Sequence, residues 1–434
     1  METNSSSGLN DVSSPSSSEG RHRRRPGWMD DYESGEGLSQ EDEANMVLFA
    51  TVDPVHFEEA VKSQKWKVAM DDEIKAIEKN ETWVLTDLPA HSKKIGVKWV
   101  YKTKLNENGE LDMYKARLVA KCYAQQYGVD YTKVFAPVAR MDTVRMIVAL
   151  AAQRGWVVYQ LDVKSVFLHC ELNEDVFVEQ PKGYEKKGSP NKVYKLKKAL
   201  YGLKQAPWSW FSRIESYFVK EGFQKCHSEH TLIVKVSKEG KILIVSIYVD
   251  DLIFTGNDES MFEDFKNSMM HEFDMSDLGR MRYFLGIEVL QRDDGIYICQ
   301  RKYAMEVLKR FGMEESNSVH NLIVPGFRVC KDTDGVKVDA TFFKQMVGSL
   351  MYLTATRPDS MFVVSLVSRY MEQPTELHLQ VVKRVLRYLK GTLDFGIFYK
   401  KGGSDDLVAY ADNDYCHTPI FDLRSYIHTL FDPE

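Results

Sequence analysis

Ile242-Leu243-Ile244-Val245-Ser246-Ile247-Tyr248-Val249-Asp250-Asp251-Leu252-Ile253-Phe254-Thr255-Gly256 is the stretch on which the fold turns. Two apolar runs flank an adjacent pair of carboxylates, the pattern of a buried β-hairpin interrupted at its tip. Ionised carboxylates in such a place are costly unless something compensates them. A divalent metal pair would do so, and a turn between two buried strands would hold it rigidly. Asp162 follows a second apolar run, residues 156–161, and supplies a third carboxylate in a similar setting. If the two strands are neighbours, Asp162 and Asp250 converge. Two Mg²⁺ ions held roughly 3.5–4 Å apart by shared carboxylates are the usual apparatus for in-line phosphoryl transfer. Mg²⁺ takes few hard oxygen ligands from protein and the rest from water and phosphate, so three aspartates suit it better than a His/Cys set.

Composition is compatible with this chemistry without announcing it. The chain has 434 residues, 44% apolar and 28% charged, with net charge −6. That is an ordinary globular composition with room for two or three domains. Charge is uneven: residues 91–121 carry eight Lys and Arg against three acids, and residues 192–213 carry six and no acid. Each run reads either as a solvated face or as a surface for phosphates. Six scattered cysteines form no CxxC, which argues against a disulfide framework and a zinc site and fits a reducing intracellular compartment. With no apolar leader and no membrane-length run, the expected location is intracellular, cytoplasmic or nuclear, with no membrane partner and no secretion.

Residues 1–50, rich in Ser, Gly, Glu and Arg, are expected to be a disordered linker. Asp53-Pro54 reads as a helix start, with Phe57, Val61, Trp66, Met70, Ile74 and Ile77 as its apolar stripe. Residues 97–104 and 114–120 read as a hairpin around Asn106-Glu107-Asn108-Gly109. Helices are expected over 143–153, 206–220 and 262–273, with Gly155 and Gly222 stopping the first two. A second hairpin surrounds Asp293-Asp294-Gly295. After Pro325 the pattern is helical over 342–353, 361–371 and 377–389, then strand over 396–400 and 407–411. Mixed strands and helices over 150–300 suggest an α+β layer with the carboxylates on its sheet. Lys383, Arg384, Arg387 and Lys390 cluster at helical spacing, as a solvated face or as contacts to a nucleic-acid backbone.

Five segments lie in one order: Lys115-Ala116-Arg117-Leu118-Val119-Ala120-Lys121, Val134-Phe135-Ala136-Pro137-Val138, Gln160-Leu161-Asp162-Val163-Lys164-Ser165-Val166-Phe167-Leu168, Ala199-Leu200-Tyr201-Gly202-Leu203-Lys204-Gln205-Ala206-Pro207 and Tyr248-Val249-Asp250-Asp251. With Val347-Gly348-Ser349-Leu350-Met351-Tyr352-Leu353 and Thr356-Arg357-Pro358-Asp359, this set resembles the reverse transcriptase of copia-type, plant-like LTR retrotransposon Pol polyproteins over about residues 55–412. The resemblance implies a right-hand polymerase: fingers and palm over 55–325, a helical thumb and connection over 326–395, and a truncated RNase H-like fragment over 396–434. It implies an RNA-directed DNA polymerase that extends a primer on an RNA or DNA template with dNTPs, using two Mg²⁺ ions, with Mn²⁺ as a substitute. Asp162, Asp250 and Asp251 would be catalytic metal ligands, joined by the backbone carbonyl of Val163. Phe167 would press on the sugar 2′ position and select dNTPs, or be core alone. Gln205 would touch the incoming nucleotide. Lys115 and Arg117 would meet its triphosphate, or be solvated strand residues.

The chain departs from the family pattern at several positions. Cys122 and Cys170 stand where the family has glycine, and Trp208 stands where it has arginine. A Cβ at a left-handed glycine position would cost roughly 1–3 kcal/mol. Asp412, in Tyr410-Ala411-Asp412-Asn413-Asp414-Tyr415, resembles the first metal ligand of an RNase H strand, after which the pattern dissolves. The expectation is therefore no RNase H activity and a piece of a longer polyprotein, its Ser-rich start resembling the spacer after integrase. Two principal readings follow: a working polymerase, or a catalytically inactive nucleic-acid-binding relic. A two-metal nuclease is a third and poorer one, since it gives Phe167 and Gln205 no purpose.

Overall fold

The computed structural model describes residues 53–105, 111–324 and 326–402. The expected linker, the turn at 106–109 and the Asp412 segment lie outside the described residues.

A six-stranded antiparallel sheet sits at the centre. Its strand order is Met275–Arg280, Tyr159–Val163, Asp251–Gly256, Ile242–Tyr248, Leu232–Val236 and Gln224–Lys225. The middle strands are almost continuously apolar because both faces of the sheet are covered. On one face Leu161, Val163, Leu252, Phe254, Leu243 and Val245 pack with Trp210, Ile214 and Phe218 of the Ala206–Lys220 helix and Phe262, Phe265 and Met269 of the Glu259–Glu272 helix. On the other, Ile244, Ile253, Leu232 and Val234 pack with the Met141–Arg154 helix and the Ile287–Arg292 and Gly295–Cys299 hairpin. Side chains alternate along a strand, so Gln160, Asp162 and Asp251 emerge on this second face. A one-residue slip would put the carboxylates among the aromatic rings, which fixes the register.

The N-terminal part stacks the Gln64–Lys79 helix on the hairpin of Val97–Leu105 and Leu111–Ala120, paired Val97 to Ala120 and Lys102 to Lys115. Trp66, Met70, Ile74 and Ile77 face Trp99, Tyr101 and Leu118 as the apolar stripe predicts. The expected single helix is broken: Phe57–Ala60 forms a short turn of helix, and the chain restarts after Ser63. Asp53 caps nothing there; its carboxylate accepts from the Thr103 amide at 3.1 Å and from the Thr103 hydroxyl, anchoring the chain to the hairpin.

The loop before the Ala206–Lys220 helix docks on this hairpin. The Ala120 amide donates to the Tyr201 carbonyl at 2.7 Å. Gly202 has φ +87°, and a Cβ there would lie 2.3 Å from the Ala120 carbonyl oxygen. Only glycine meets both demands. Cys122 and Cys170, by contrast, are outside the left-handed region, Cys170 at φ −108°, so the strain expected there does not arise. Among the described residues all cysteines are free.

Beyond the central sheet, helices Arg301–Arg310, Ala340–Leu353, Met361–Ser368 and Glu376–Gly391 build a separate core around Phe343, Val347, Val382 and Leu386. Arg357 is 3% exposed. It binds Asp359 at 2.8 Å and donates to the carbonyl and hydroxyl of Thr392 at 3.0 and 2.7 Å. The Thr356-Arg357-Pro358-Asp359 motif is thus a joint that closes the C-terminal end of the last helix. Two of the four clustered cations are engaged as well: Arg384 donates to the Asn321 carbonyl at 3.1 Å and Arg387 to that of Asn317 at 2.7 Å. The Gly396–Lys400 strand pairs with Gly295–Cys299, so a boundary at 396 cuts through one four-stranded sheet. No helix among the described residues is long and apolar enough to cross a membrane.

Gly202→Ala is expected to destabilise the fold by roughly 2–4 kcal/mol, combining left-handed strain with the backbone clash. Urea unfolding of the two chains checks this; equal midpoints would mean the loop relaxes freely.

Candidate active site

The hairpin that carries the carboxylates closes with only two residues. Tyr248 pairs with Asp251, leaving Val249 and Asp250 as the turn. Two-residue hairpin loops need positive φ at their first position, usually supplied by Gly or Asn. Here Val249 adopts φ +53°. A β-branched residue in that region is strained by roughly 1–3 kcal/mol. Two hydrogen bonds hold it. The Trp210 indole N–H donates to the Val249 carbonyl at 2.5 Å, and the Val163 amide donates to the Asp250 carbonyl at 2.9 Å. The second bond ties the turn to the strand of Asp162.

Asp251 and Asp162 are direct cross-strand partners, and Asp162 is flanked on its other side by Ser276. Burial pushes the Asp251 carboxyl up to about 6, and Asp250 and Asp162 push it the same way; the Gln160 amide, donating at 3.1 Å, opposes them. The Asp162 carboxyl is raised for the same reasons, burial first and Asp250 second, with Lys115 pulling it back. Lys115 itself is lowered by burial and by Arg117 and Lys104, while Asp162 and Asp250 raise it. One partly buried ammonium therefore shares a field with the carboxylates. Like charges in adjacent strands are destabilising unless a cation intervenes. Asp162 and Asp251, on paired residues, are hard oxygen donors of the kind a divalent ion takes. Among the described residues no three His, Cys, Asp or Glu side chains are grouped so as to hold a metal ion by themselves. Mg²⁺ completed by water and substrate phosphate does not require such a group.

Comparison with known proteins bears on what this geometry belongs to. Residues 80–325 match the family described as reverse transcriptase (RNA-dependent DNA polymerase). The chain belongs to the reverse transcriptase family. It is similar to the retrovirus-related Pol polyprotein from transposon RE1 of Arabidopsis thaliana, 39% identical over 85% of this chain and 25% of that protein. The corresponding polyprotein of transposon TNT 1-94 of Nicotiana tabacum is 36% identical over 81% of this chain and 27% of its own length. These relatives place it with the plant copia-type retrotransposons, and it spans about a quarter of their length. Among solved structures, a foamy viral protease-reverse transcriptase in complex with double-stranded DNA aligns with TM-score 0.39 and 10% identity, covering 76% of this chain and 49% of that one, too weak a likeness to bear on the fold.

The remaining residues of the reverse transcriptase motifs are distributed unevenly. Phe167, half-buried on a short 3₁₀ turn, packs edge-on against Tyr201 with ring centroids 4.8 Å apart. Arg117 is paired at 2.7 Å with buried Glu73 and lies over the Tyr201 ring. Burial holds the Glu73 carboxyl up and Arg117 pulls it down, as in an internal ion pair. Gln205 is buried, its amide accepting from Gln125 at 3.0 Å and donating to the Asp130 carbonyl at 2.8 Å. It thereby ties the 125–131 loop to the start of the Ala206–Lys220 helix. Trp208 replaces an expected cation, yet the Lys133 ammonium sits 4.6 Å from its ring centre. Sequence reasoning missed Gln160 and Trp210. Gln160 was within reach, since period two puts it on the face of Asp162. Trp210 had no such signal, because its bond crosses 39 positions to a backbone atom.

The pH dependence of stability follows from Asp251. Its folded carboxyl lies above the ordinary value of 3.8, so its contribution is present below that value and is lost as pH rises through about 6. Without divalent metal, Asp251→Asn is expected to raise Tm by ~2–4 °C at about pH 8 and by little at about pH 4.5. Thermal melts of both chains at the two pH values check this, and an equal shift at both would remove the carboxylate repulsion as its cause.

Proposed function

We propose that this chain is an RNA-directed DNA polymerase that extends a primer on an RNA or DNA template with dNTPs. The observation that carries it is the cross-strand pairing of Asp162 with Asp251 beside the Asp250 turn, with Lys115 in the same field. In this reading residues 55–325 are fingers and palm, and 326–395 are thumb and connection. Asp162, Asp250 and Asp251, with the Val163 carbonyl, are the groups that would hold two Mg²⁺ ions or Mn²⁺. Bound there, such ions supply Lewis-acid stabilisation of the attacking 3′-hydroxyl and of the leaving pyrophosphate.

The chain's own residues position and neutralise. The primer 3′-oxygen gives its proton to water and bonds to the α-phosphorus as the bond to the pyrophosphate oxygen breaks. Lys115, already depleted of hydration, offsets charge on the triphosphate, where a cation is most effective. Arg117 is committed to Glu73 through one nitrogen and keeps further N–H donors for phosphate. Phe167, braced by Tyr201, would crowd a 2′-hydroxyl. Gln205 would act by fixing the loop beneath the nucleotide, given that both ends of its amide are occupied.

The test is dTTP incorporation on an RNA template with a DNA primer. Wild-type extension is expected to fall by ~10³-fold or more in Asp250→Asn. Soluble, folded wild-type protein that binds template–primer without extending it would establish the alternative, an inactive nucleic-acid-binding relic. In an active chain, Phe167→Val is expected to raise ribonucleotide incorporation relative to deoxyribonucleotide by ~10-fold or more. An unchanged ratio would leave Phe167 as core only.

A further inference from the structure

The Trp210–Val249 bond has a feature that simple core packing does not need. Trp210 is 2% exposed, and its ring is packed edge-on against Phe273, centroids 5.4 Å apart. Its one polar atom is spent on the carbonyl of the one residue of the turn in the left-handed region. A buried indole N–H normally finds some partner. Here the partner is the peptide whose orientation decides where Asp250 and Asp251 point. The turn has no glycine to make this backbone its own preference, so its conformation has to be imposed from outside. Its two restraints come from different elements: the Ala206–Lys220 helix through Trp210, and the Tyr159–Val163 strand through the Val163 amide.

We propose that Trp210 is a positioning residue: its indole N–H clamps the Val249 carbonyl and so holds the strained two-residue turn that presents Asp250 and Asp251. The turnover part of the test rests on the polymerase reading above, while the clamp itself is read without turnover. If the clamp opposes strain at Val249, removing the strain removes the need for the clamp. Glycine at 249 adopts positive φ freely.

The experiment compares wild type, Trp210→Phe and Trp210→Phe/Val249→Gly. Hydrogen exchange is followed at the Val163 amide, whose acceptor is the Asp250 carbonyl. Primer-extension kinetics are measured in parallel. Trp210→Phe is expected to speed exchange at Val163 by ~10-fold or more, as the turn opens locally. It should lower kcat by ~10–100-fold with KM for dTTP within about twofold, since the loss is of geometry rather than of nucleotide contacts. The double variant should recover most of both. A core cavity alone would not be repaired by Val249→Gly, so a double variant as impaired as Trp210→Phe overturns the clamp. Wild-type exchange at Val163 in Trp210→Phe overturns it as well. Should Trp210→Phe fail to fold, a folded double variant supports the clamp and an unfolded one overturns it. A wild-type chain that exchanges as expected but extends no primer would sink the polymerase reading and leave the exchange comparison to decide the clamp.

Discussion

Carboxylates crowded at one end of a covered sheet set the terms for everything around them. Asp162 and Asp251 face one another across adjacent strands, Asp250 stands on the turn, and burial raises the first two above their ordinary range. Nothing in hydrophobic packing favours this arrangement; the same positions filled by valine would make a better core. It persists because the sheet is held by apolar contacts on both faces, far more than the repulsion can undo. Gln160 and Lys115 moderate the repulsion without removing it. A site left short of positive charge is suited to receive some from outside.

Where the cations go shows how the fold divides its labour. Arg117 pairs with buried Glu73, Arg357 with Asp359, and Arg384 and Arg387 with the carbonyls of Asn321 and Asn317. A planar fork that satisfies two acceptors is well suited to such internal joints. Three lysines near the motifs make looser contacts: Lys115 lies in the field of the aspartates, Lys133 on the Trp208 ring, and Lys204 donates to the Tyr131 hydroxyl at 3.2 Å. Arginines in the basic runs are thus partly committed to internal partners, while Lys115 stays in the field of the carboxylates.

Much of this was legible in the sequence because it rests on periodicity and punctuation. The hairpin around Asp250, the 97–120 hairpin, the Ala206–Lys220 helix and the glycine stop at 155 all follow from local rules. Long-range polar contacts were not legible. Asp53 reads as a cap but reaches 50 positions to Thr103; Arg117, read either as meeting the triphosphate or as a solvated strand residue, also pairs with Glu73 44 positions away. Gln205, which the resemblance sets at the incoming nucleotide, has its amide bonded to Gln125 and to the Asp130 carbonyl. In each case tertiary pairing used a side chain whose local pattern gave no hint of its partner. The departures at 122 and 170 misled in the other direction. A glycine in a relative does not by itself mean a left-handed backbone, and at these positions the φ angles accept a side chain.

That distinction matters at the positions where the chain departs from the family pattern. Here Gly202, which no other residue can replace without meeting the Ala120 carbonyl, is intact, while the replaced positions are ones that tolerate a Cβ. At 170 the new side chain is buried and its thiol donates to the Val166 carbonyl at 3.6 Å, so it is accommodated rather than merely endured. At 208 the lost cation is met by Lys133 over the replacing ring, an arrangement that keeps positive charge beside the helix start. At each of these positions the backbone geometry accepts the residue that is present, and Gly202 stands where only glycine fits.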